Sequence, residues 1–331
     1  MTPSGTIPVA VIGVGEHGRH HAHAFSNLPH ADLVGVYDLR PDRAEALAAE
    51  LGCRAFPTLD EALAAVKAVS VVIPTTVHAD VVHKAFDAGV DVLVEKPISR
   101  TVAEAQGLVE RSEREERIFQ IGHLERFNPG VVAAKKVTHG PMFFEVHRLG
   151  VFSSRSLDVD VVFDLMIHDL DLLLWMVESP VSDVRAVGLP VLSDKVDIAN
   201  ARVEFENGAV ANLTASRAST ERIRKFRYFQ PSEYISIDFA RRDALVISVD
   251  RSKAAPEIGF RELKTETADP LRSELDAFLE SVRSRRPPPV GGRDGLAALA
   301  LAERVMNCIE IHAARVQVHL GSRAAGQPGE S

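Results

Sequence analysis

The sequence predicts an α/β chain in two parts, a doubly wound parallel sheet followed by an α+β domain with a mainly antiparallel sheet. Three observations carry this. Short apolar runs at Val9–Ile12, Leu33–Tyr37, Val69–Ile73, Val92–Val94 and Ile118–Ile121 have the length of buried strands. Helical stretches at Arg43–Leu51, Thr58–Val66, Ala79–Ala88 and Val102–Arg114 alternate with them, and such alternation builds a parallel sheet. From Met142 onward, strands follow one another without helices between them, which demands antiparallel pairing. The expected division is residues 1–124, residues 125–320, and a polar, flexible tail at 321–331.

Bulk composition narrows the function. With 331 residues the chain is long enough for two cores. Its 46% hydrophobic and 25% charged residues are those of a globular protein in water. A net charge of -8 argues against nucleic acid as the main partner. No apolar run is long enough to span a bilayer, and the start lacks the pattern of a signal peptide. Cys53 and Cys308 have no metal-ligand spacing and no reason to pair, so the expected location is a reducing cytoplasm.

Taken in order, the first strand meets Gly13-Val14-Gly15-Glu16-His17-Gly18, and a helix follows through Phe25. In this context G-x-G-x-x-G reads as a dinucleotide-binding turn of the Rossmann type, with backbone N–H groups and a helix N-terminus facing a pyrophosphate. Gly13, Gly15, Glu16, His17 and Gly18 are therefore candidate cofactor contacts. The second strand ends at Asp38, 20 positions after Gly18, where an acid can accept from the ribose hydroxyls and repel a 2′-phosphate. NAD is the expected cofactor; Arg40 and Arg43, close behind, soften the preference over NADP. His17, His20, His21 and His23 invite a metal, but no cysteine or acid cluster joins them in the sequence, so no metal is expected. Thr75, Thr76, His78, Glu95 and Lys96 fall at the carboxyl ends of later strands, where such sheets bind ligands. Lys96, followed by Pro97 at the end of a buried strand, has the strongest chemical reading: partial desolvation there suits it to proton exchange.

The second part holds strands at Met142–Leu149, Val184–Leu189, Ala199–Phe205, Val210–Ser216, Lys225–Phe229, Tyr234–Asp238 and Leu245–Val249, with a hairpin signal at Asn207-Gly208. One sheet face should be covered by a largely buried helix, Asp158–Trp175. Along that helix Asp164, His168 and Asp171 sit at i, i+4 and i+7, one stripe of ionisable groups that must find partners or open into a wet pocket. An acid one turn before a histidine can orient an imidazole for proton transfer, or can simply tie two elements together. Further helices are expected at Pro270–Arg286 and Leu296–Ile311.

Val94-Glu95-Lys96-Pro97, Arg126-Phe127-Asn128-Pro129 and the D-x-x-x-H-x-x-D of Asp164, His168 and Asp171 together resemble the glucose–fructose oxidoreductase/inositol dehydrogenase/MocA family over nearly the whole chain. The resemblance implies a Rossmann domain, an α+β domain with an open, mainly antiparallel sheet, and NAD(P)-dependent redox chemistry on sugars or polyols. It implies catalytic roles for Lys96, Asp164 and His168, and a place for Glu95 near the nicotinamide ribose. Thr75 departs from the asparagine often found there in the family. The same motifs most resemble the branch that oxidises the 3-hydroxyl of UDP-N-acetylglucosamine. Arg126, Asn128, Arg148 and Arg155 are then candidate substrate contacts, the arginines for the diphosphate. A homodimer or homotetramer through the sheet, and an aminotransferase that takes up the 3-keto product, would fit. The alternatives are a dehydrogenase of an uncharged polyol such as an inositol, and an inert NAD-binding regulator.

Overall fold

Six short strands of the first unit pair in parallel: β1 (Ile7–Ile12), β2 (Ala31–Tyr37), β3 (Arg54–Ala55), β4 (Ala68–Val71), β5 (Asp91–Glu95) and β6 (Phe119–Gly122), in the spatial order β3-β2-β1-β4-β5-β6. The computed structural model describes residues 5–152, 159–250 and 256–325. It divides the chain into one unit of Met1–Asn128 with Thr267–Leu299 and another of Pro129–Glu266 with Ala300–Ser331.

A parallel sheet needs cover on both faces, and its strands are accordingly apolar throughout. Val9, Val11, Ala68 and Leu93 point to one face, where Ala22 and Phe25 of α1 (Glu16–Ser26) and Leu47 of α2 (Pro41–Leu51) meet them. Leu275, Phe278, Leu279 and Val282 of α8 (Pro270–Ser284) complete that core. Thus residues 267–299, expected in the second domain, fold with the first. The reason is burial: Leu275 and Phe278 are fully enclosed, worth roughly 1.5–3 kcal/mol each. Helix α8 starts sharply because Asp269 accepts from the Arg272 N–H at 3.1 Å and Pro270 occupies the first turn. On the opposite face α4 (His78–Asp87) and α5 (Val102–Arg114) cover the strands, and Phe86 meets Phe119 edge-on at 5.5 Å. The remaining helix, α3 (Leu59–Ala64), is capped by the Thr58 side chain.

The second unit begins with α6 (Pro129–Lys135) and is built on eight strands: β7 (Phe143–Val151), β8 (Val181–Leu189), β9 (Ile198–Phe205), β10 (Val210–Ser219), β11 (Ile223–Gln230), β12 (Glu233–Asp238), β13 (Asp243–Asp250) and β14 (Glu257–Glu262). Their order is β14-β13-β12-β11-β7-β10-β9-β8, antiparallel except for the parallel pair β7–β10. All seven expected strands are present. Two more were not marked by the pattern, since β3 has two residues and β14 is exposed along its whole length. Phe144, Val146, Leu213, Phe226, Tyr228, Ile235 and Ile237 line the buried face. The other face leaves Phe229, Ile258 and Phe260 exposed. Gly208, at φ +86°, makes the β9–β10 hairpin that Asn207-Gly208 announces.

The helix expected over Asp158–Trp175 is in two parts. Val162–Met166 forms a π-helical turn, and α7 (Ile167–Val177) continues from it as a regular helix. Asp158 lies outside the described residues. The last helix, α9 (Gly292–Ala325), is longer than expected and takes in residues 321–325, assigned from sequence to the tail. Among the described residues no helix is long and apolar enough to cross a membrane.

Candidate active site

Close packing dictates two of the three fingerprint glycines in the first unit. A Cβ on Gly18 would lie 1.9 Å from the Gly13 carbonyl oxygen, and one on Gly13 (φ +87°) would lie 2.3 Å from the Val72 carbonyl oxygen. Gly15 differs, since nothing lies within 4 Å of where its Cβ would be. That open space sits at the N-cap of α1, and no side chain caps the helix. Its first N–H groups are therefore directed at a cradle that fits a dinucleotide's pyrophosphate.

At the end of β2, Asp38 is tied to this turn. Its Oδ2 accepts from the Val14 N–H at 2.8 Å, and its Oδ1 from the Arg40 N–H at 2.9 Å. The carboxylate is thereby fixed, half-buried, with lone pairs left for a ribose diol. Arg40 points to Asp42 at 2.8 Å and is exposed, in line with a solvated helix-start residue.

The expected contacts at the other strand ends divide. Thr75 and Thr76 open a 3₁₀ turn after β4, half-buried and exposed respectively. His78 is wholly buried, with Nδ1 2.9 Å from the Pro97 carbonyl and Nε2 2.9 Å from the Ile73 carbonyl. It thus joins the turn after β4 to the turn after β5, so its ring, expected at the cofactor, is engaged with backbone carbonyls in this structure. Lys96 is half-buried at the end of β5.

Glu95 receives two histidines, His17 Nε2 at 3.1 Å and His21 Nε2 at 3.3 Å, both at Oε1. Burial pushes its carboxyl pKa up, but the hydrogen bonds from His17 and His21 outweigh that and hold it well below the usual range. The bond to Glu95 raises the pKa of half-exposed His17, whereas burial lowers that of His21. His21 is fully buried and its Nδ1 lies 2.8 Å from Ser70 Oγ. Sequence reasoning expected an acid-free set of histidines; it missed Glu95 as their partner, and missed His21 and Ser70. The signal was the i, i+4 spacing of His17 and His21 on a helix that starts against the strand ends. Behind them Glu274 of α8 is wholly buried, its carboxyl oxygens without a hydrogen-bond partner among the described residues. Burial, then the charge of Glu95, pushes its pKa well up.

The arginines expected to hold phosphate are already engaged. Arg126 is buried and donates to Asp294 at 3.1 Å. Asn128, also buried, donates to Glu125 at 3.4 Å. In the second unit Arg148 grips Asp169 through both arms of its guanidinium, Nε to Oδ2 at 2.9 Å and Nη2 to Oδ1 at 2.8 Å, above the Phe239 ring at 4.9 Å. Both partners are almost fully enclosed. Turning Arg148 to a phosphate would break its ion pair with an enclosed carboxylate, whereas Asp294 beside Arg126 is partly exposed, so in this structure both arginines expected at the substrate are engaged in ion pairs. Arg155 lies outside the described residues.

The Arg148–Asp169 fork also anchors the start of α7, one residue from His168. Asp164 lies in the π turn and His168 in the first turn of α7, both half-buried, whereas Asp171 is enclosed. The three therefore do not form one uniformly wet stripe. A π turn widens the helix locally and turns its side chains out of α-helical register, a distortion common at functional sites.

Comparison with known proteins agrees with these features. Residues 7–123 match the model of the Gfo/Idh/MocA oxidoreductase family's NAD-binding Rossmann fold, and residues 137–229 match the model of that family's C-terminal domain. UDP-N-acetylglucosamine 3-dehydrogenase of Acidithiobacillus ferrooxidans is 40% identical over 304 residues, 91% of this chain and 96% of that protein. Inositol 2-dehydrogenase of Rhizobium meliloti is 26% identical over 92% of this chain and 97% of its own. The solved structure of the Acidithiobacillus enzyme superposes with a TM-score of 0.87, 38% identity, and coverage of 92% of this chain and 98% of that one. Levoglucosan dehydrogenase, solved with NADH and levoglucosan, shares the fold at a TM-score of 0.83 and 18% identity, covering 92% of this chain and 97% of its own.

Proposed function

The chain belongs to the Gfo/Idh/MocA oxidoreductase family, and from that premise we propose that it is the NAD-dependent dehydrogenase that oxidises the 3-hydroxyl of UDP-N-acetylglucosamine to the 3-keto nucleotide sugar. The observation that carries this reading is the 40% identity, over 91% of the chain, to an enzyme of that activity, against 26% for an inositol dehydrogenase of similar coverage.

NAD⁺ supplies the hydride acceptor. The open cradle at Gly15 and the fixed carboxylate of Asp38 support its binding, and that carboxylate favours NAD over NADP. His168, oriented by Asp164, takes the proton of the reacting hydroxyl while the carbon gives up its hydride and the C=O bond forms. Lys96 stabilises the alkoxide as charge develops. The distorted turn at Asp164 and the rigid Arg148–Asp169 anchor beside His168 support these roles, since a proton acceptor must be held in one orientation to work. A homo-oligomer is supported by the exposed Phe229, Ile258 and Phe260 on the sheet's outer face. A 3-keto product would suit an aminotransferase as the next enzyme.

The second reading, an uncharged polyol, gains from the engagement of Arg126 and Arg148 with Asp294 and Asp169. Purified protein with NAD⁺ and a panel of UDP-sugars, free N-acetylglucosamine and inositols, followed at the absorbance of NADH, separates the two. UDP-N-acetylglucosamine should be the substrate, with the free sugar poor. Turnover of an inositol without turnover of the nucleotide sugar would replace the proposal.

A further inference from the structure

Three nitrogen and oxygen atoms in the first unit form a triangle with sides of 3.1, 3.3 and 3.4 Å: His17 Nε2 to Glu95 Oε1, His21 Nε2 to Glu95 Oε1, and His21 Nε2 to His17 Nε2. In a tetrahedral centre with metal–ligand bonds of about 2.0–2.1 Å, neighbouring ligand atoms lie roughly 3.3 Å apart. The triangle therefore matches one face of such a tetrahedron, with all three atoms at corners. From these distances we propose that His17, His21 and Glu95 bind a divalent transition-metal ion of the zinc class, with the fourth position open to water.

Two further observations favour a metal. His21 is enclosed, and the 2.8 Å contact of its Nδ1 with Ser70 Oγ sets its orientation. Metal binding would replace the Nε2–H that His21 gives to Glu95: with the proton then on Nδ1 and donated to the Ser70 hydroxyl, the Nε2 lone pair faces the triangle, as in ligating histidines held by an outer partner. His17 is the exposed corner, its side chain 46% accessible, so an ion can enter and a water can complete the shell. Glu95 brings the negative charge, and its second oxygen is turned to the Lys96 N–H at 3.3 Å. His20 and His23 are not part of the group; His23 meets Glu50 instead, at 3.1 Å. An ion here would tie the first turn of α1 to the end of β5. It would also neutralise the carboxylate next to Lys96.

The test is zinc binding to the full-length protein after metal removal with a chelator, read by isothermal titration and by competition with a chromophoric chelator. One equivalent should bind. His17→Leu, a change at a half-exposed position whose folding is checked by circular dichroism, should weaken that binding by at least about 10-fold, the range lost when a metal site is disturbed. His23→Leu, on the same helix, should leave it unchanged, which excludes adventitious binding to surface histidines. Because a ligating imidazole must give up its proton, affinity should fall between about pH 8 and about pH 6. Failure to bind one equivalent, or equal binding by His17→Leu, would overturn the proposal and leave the trio as a hydrogen-bonded cluster. NADH formation plays no part in these readouts, so they stand apart from the substrate assignment.

Discussion

Single residues in this chain often do two things at once, and Asp38 shows the consequence. Its carboxylate holds the Val14 and Arg40 N–H groups, so it stiffens the glycine turn as well as taking the ribose in the proposed function. Asp38→Ala should therefore weaken NAD binding and narrow the NAD-over-NADP preference by about one to two decades, the range of a charge-assisted hydrogen bond. Cofactor fluorescence titrations measure both, and an unchanged preference would remove Asp38 from cofactor choice. For the chemistry, Lys96→Met and His168→Ala should each lower turnover by about 10²-fold or more, with NAD binding largely kept. A near-normal rate in either variant would take that residue out of the mechanism.

At the scale of elements, a buried acid organises the turn between β8 and β9. Asp197 Oδ2 accepts from the N–H groups of Val191, Leu192 and Ser193 at 2.8, 2.6 and 2.9 Å, and Oδ1 faces Arg217 at 3.3 Å. Burial pushes its pKa up, but the three backbone N–H groups and the Ser193 hydroxyl overcome this and hold it at about 2, against 3.8 for a free aspartate. A depressed folded-state pKa adds stability that is complete above the unfolded value and is lost as pH falls through the folded one. Asp197 should thus contribute about 2 kcal/mol at neutral pH, lost between about pH 4 and about pH 2. Urea denaturation of Asp197→Asn should show that loss at neutral pH and a flatter acid limb; an unaltered acid limb would mean that other carboxylates govern it. The π turn belongs to this scale too. It interrupts an otherwise strongly apolar helix where the two half-buried ionisable residues, Asp164 and His168, stand.

For the molecule as a whole, the point that matters is that each unit has its own core. The first is filled by α1, α2 and α8 against the parallel sheet, the second by the buried face of the eight-stranded sheet. Domains so built keep much of their stability to themselves. Arg148→Met leaves Asp169 charged and enclosed, which should cost roughly 3–5 kcal/mol in the second unit. NAD binding, which the proposed function places on the glycine turn and Asp38 of the first unit, should survive at temperatures below the lowered transition. Calorimetry together with NAD titration checks this, and loss of cofactor binding in a still-folded Arg148→Met protein would show that the units are not independent in this sense.

The parallel sheet and the cofactor turn were legible because their signals are local. Gly13, Gly15 and Gly18 stand in one six-residue turn between a strand and a helix, where Gly18 crowds the Gly13 carbonyl and Gly15 leaves open space, and the five apolar runs answer to burial on both faces. The antiparallel strands were legible for the same reason, through alternation and the Asn207-Gly208 turn. Tertiary structure alone decided what each ionisable side chain would meet. Arg126 and Arg148 look alike as free cations in the sequence, yet Asp294, 168 positions away, and Asp169, 21 away, claim them. Glu95 reached His17 and His21 across 78 and 74 positions, which no local pattern announces. The assignment of Leu275 and Phe278 to the first core likewise depended on which apolar surface lay uncovered. Periodicity reports the face that a side chain occupies; the partner it finds there depends on packing between distant segments, where burying a charge without a counterpart is too costly to persist.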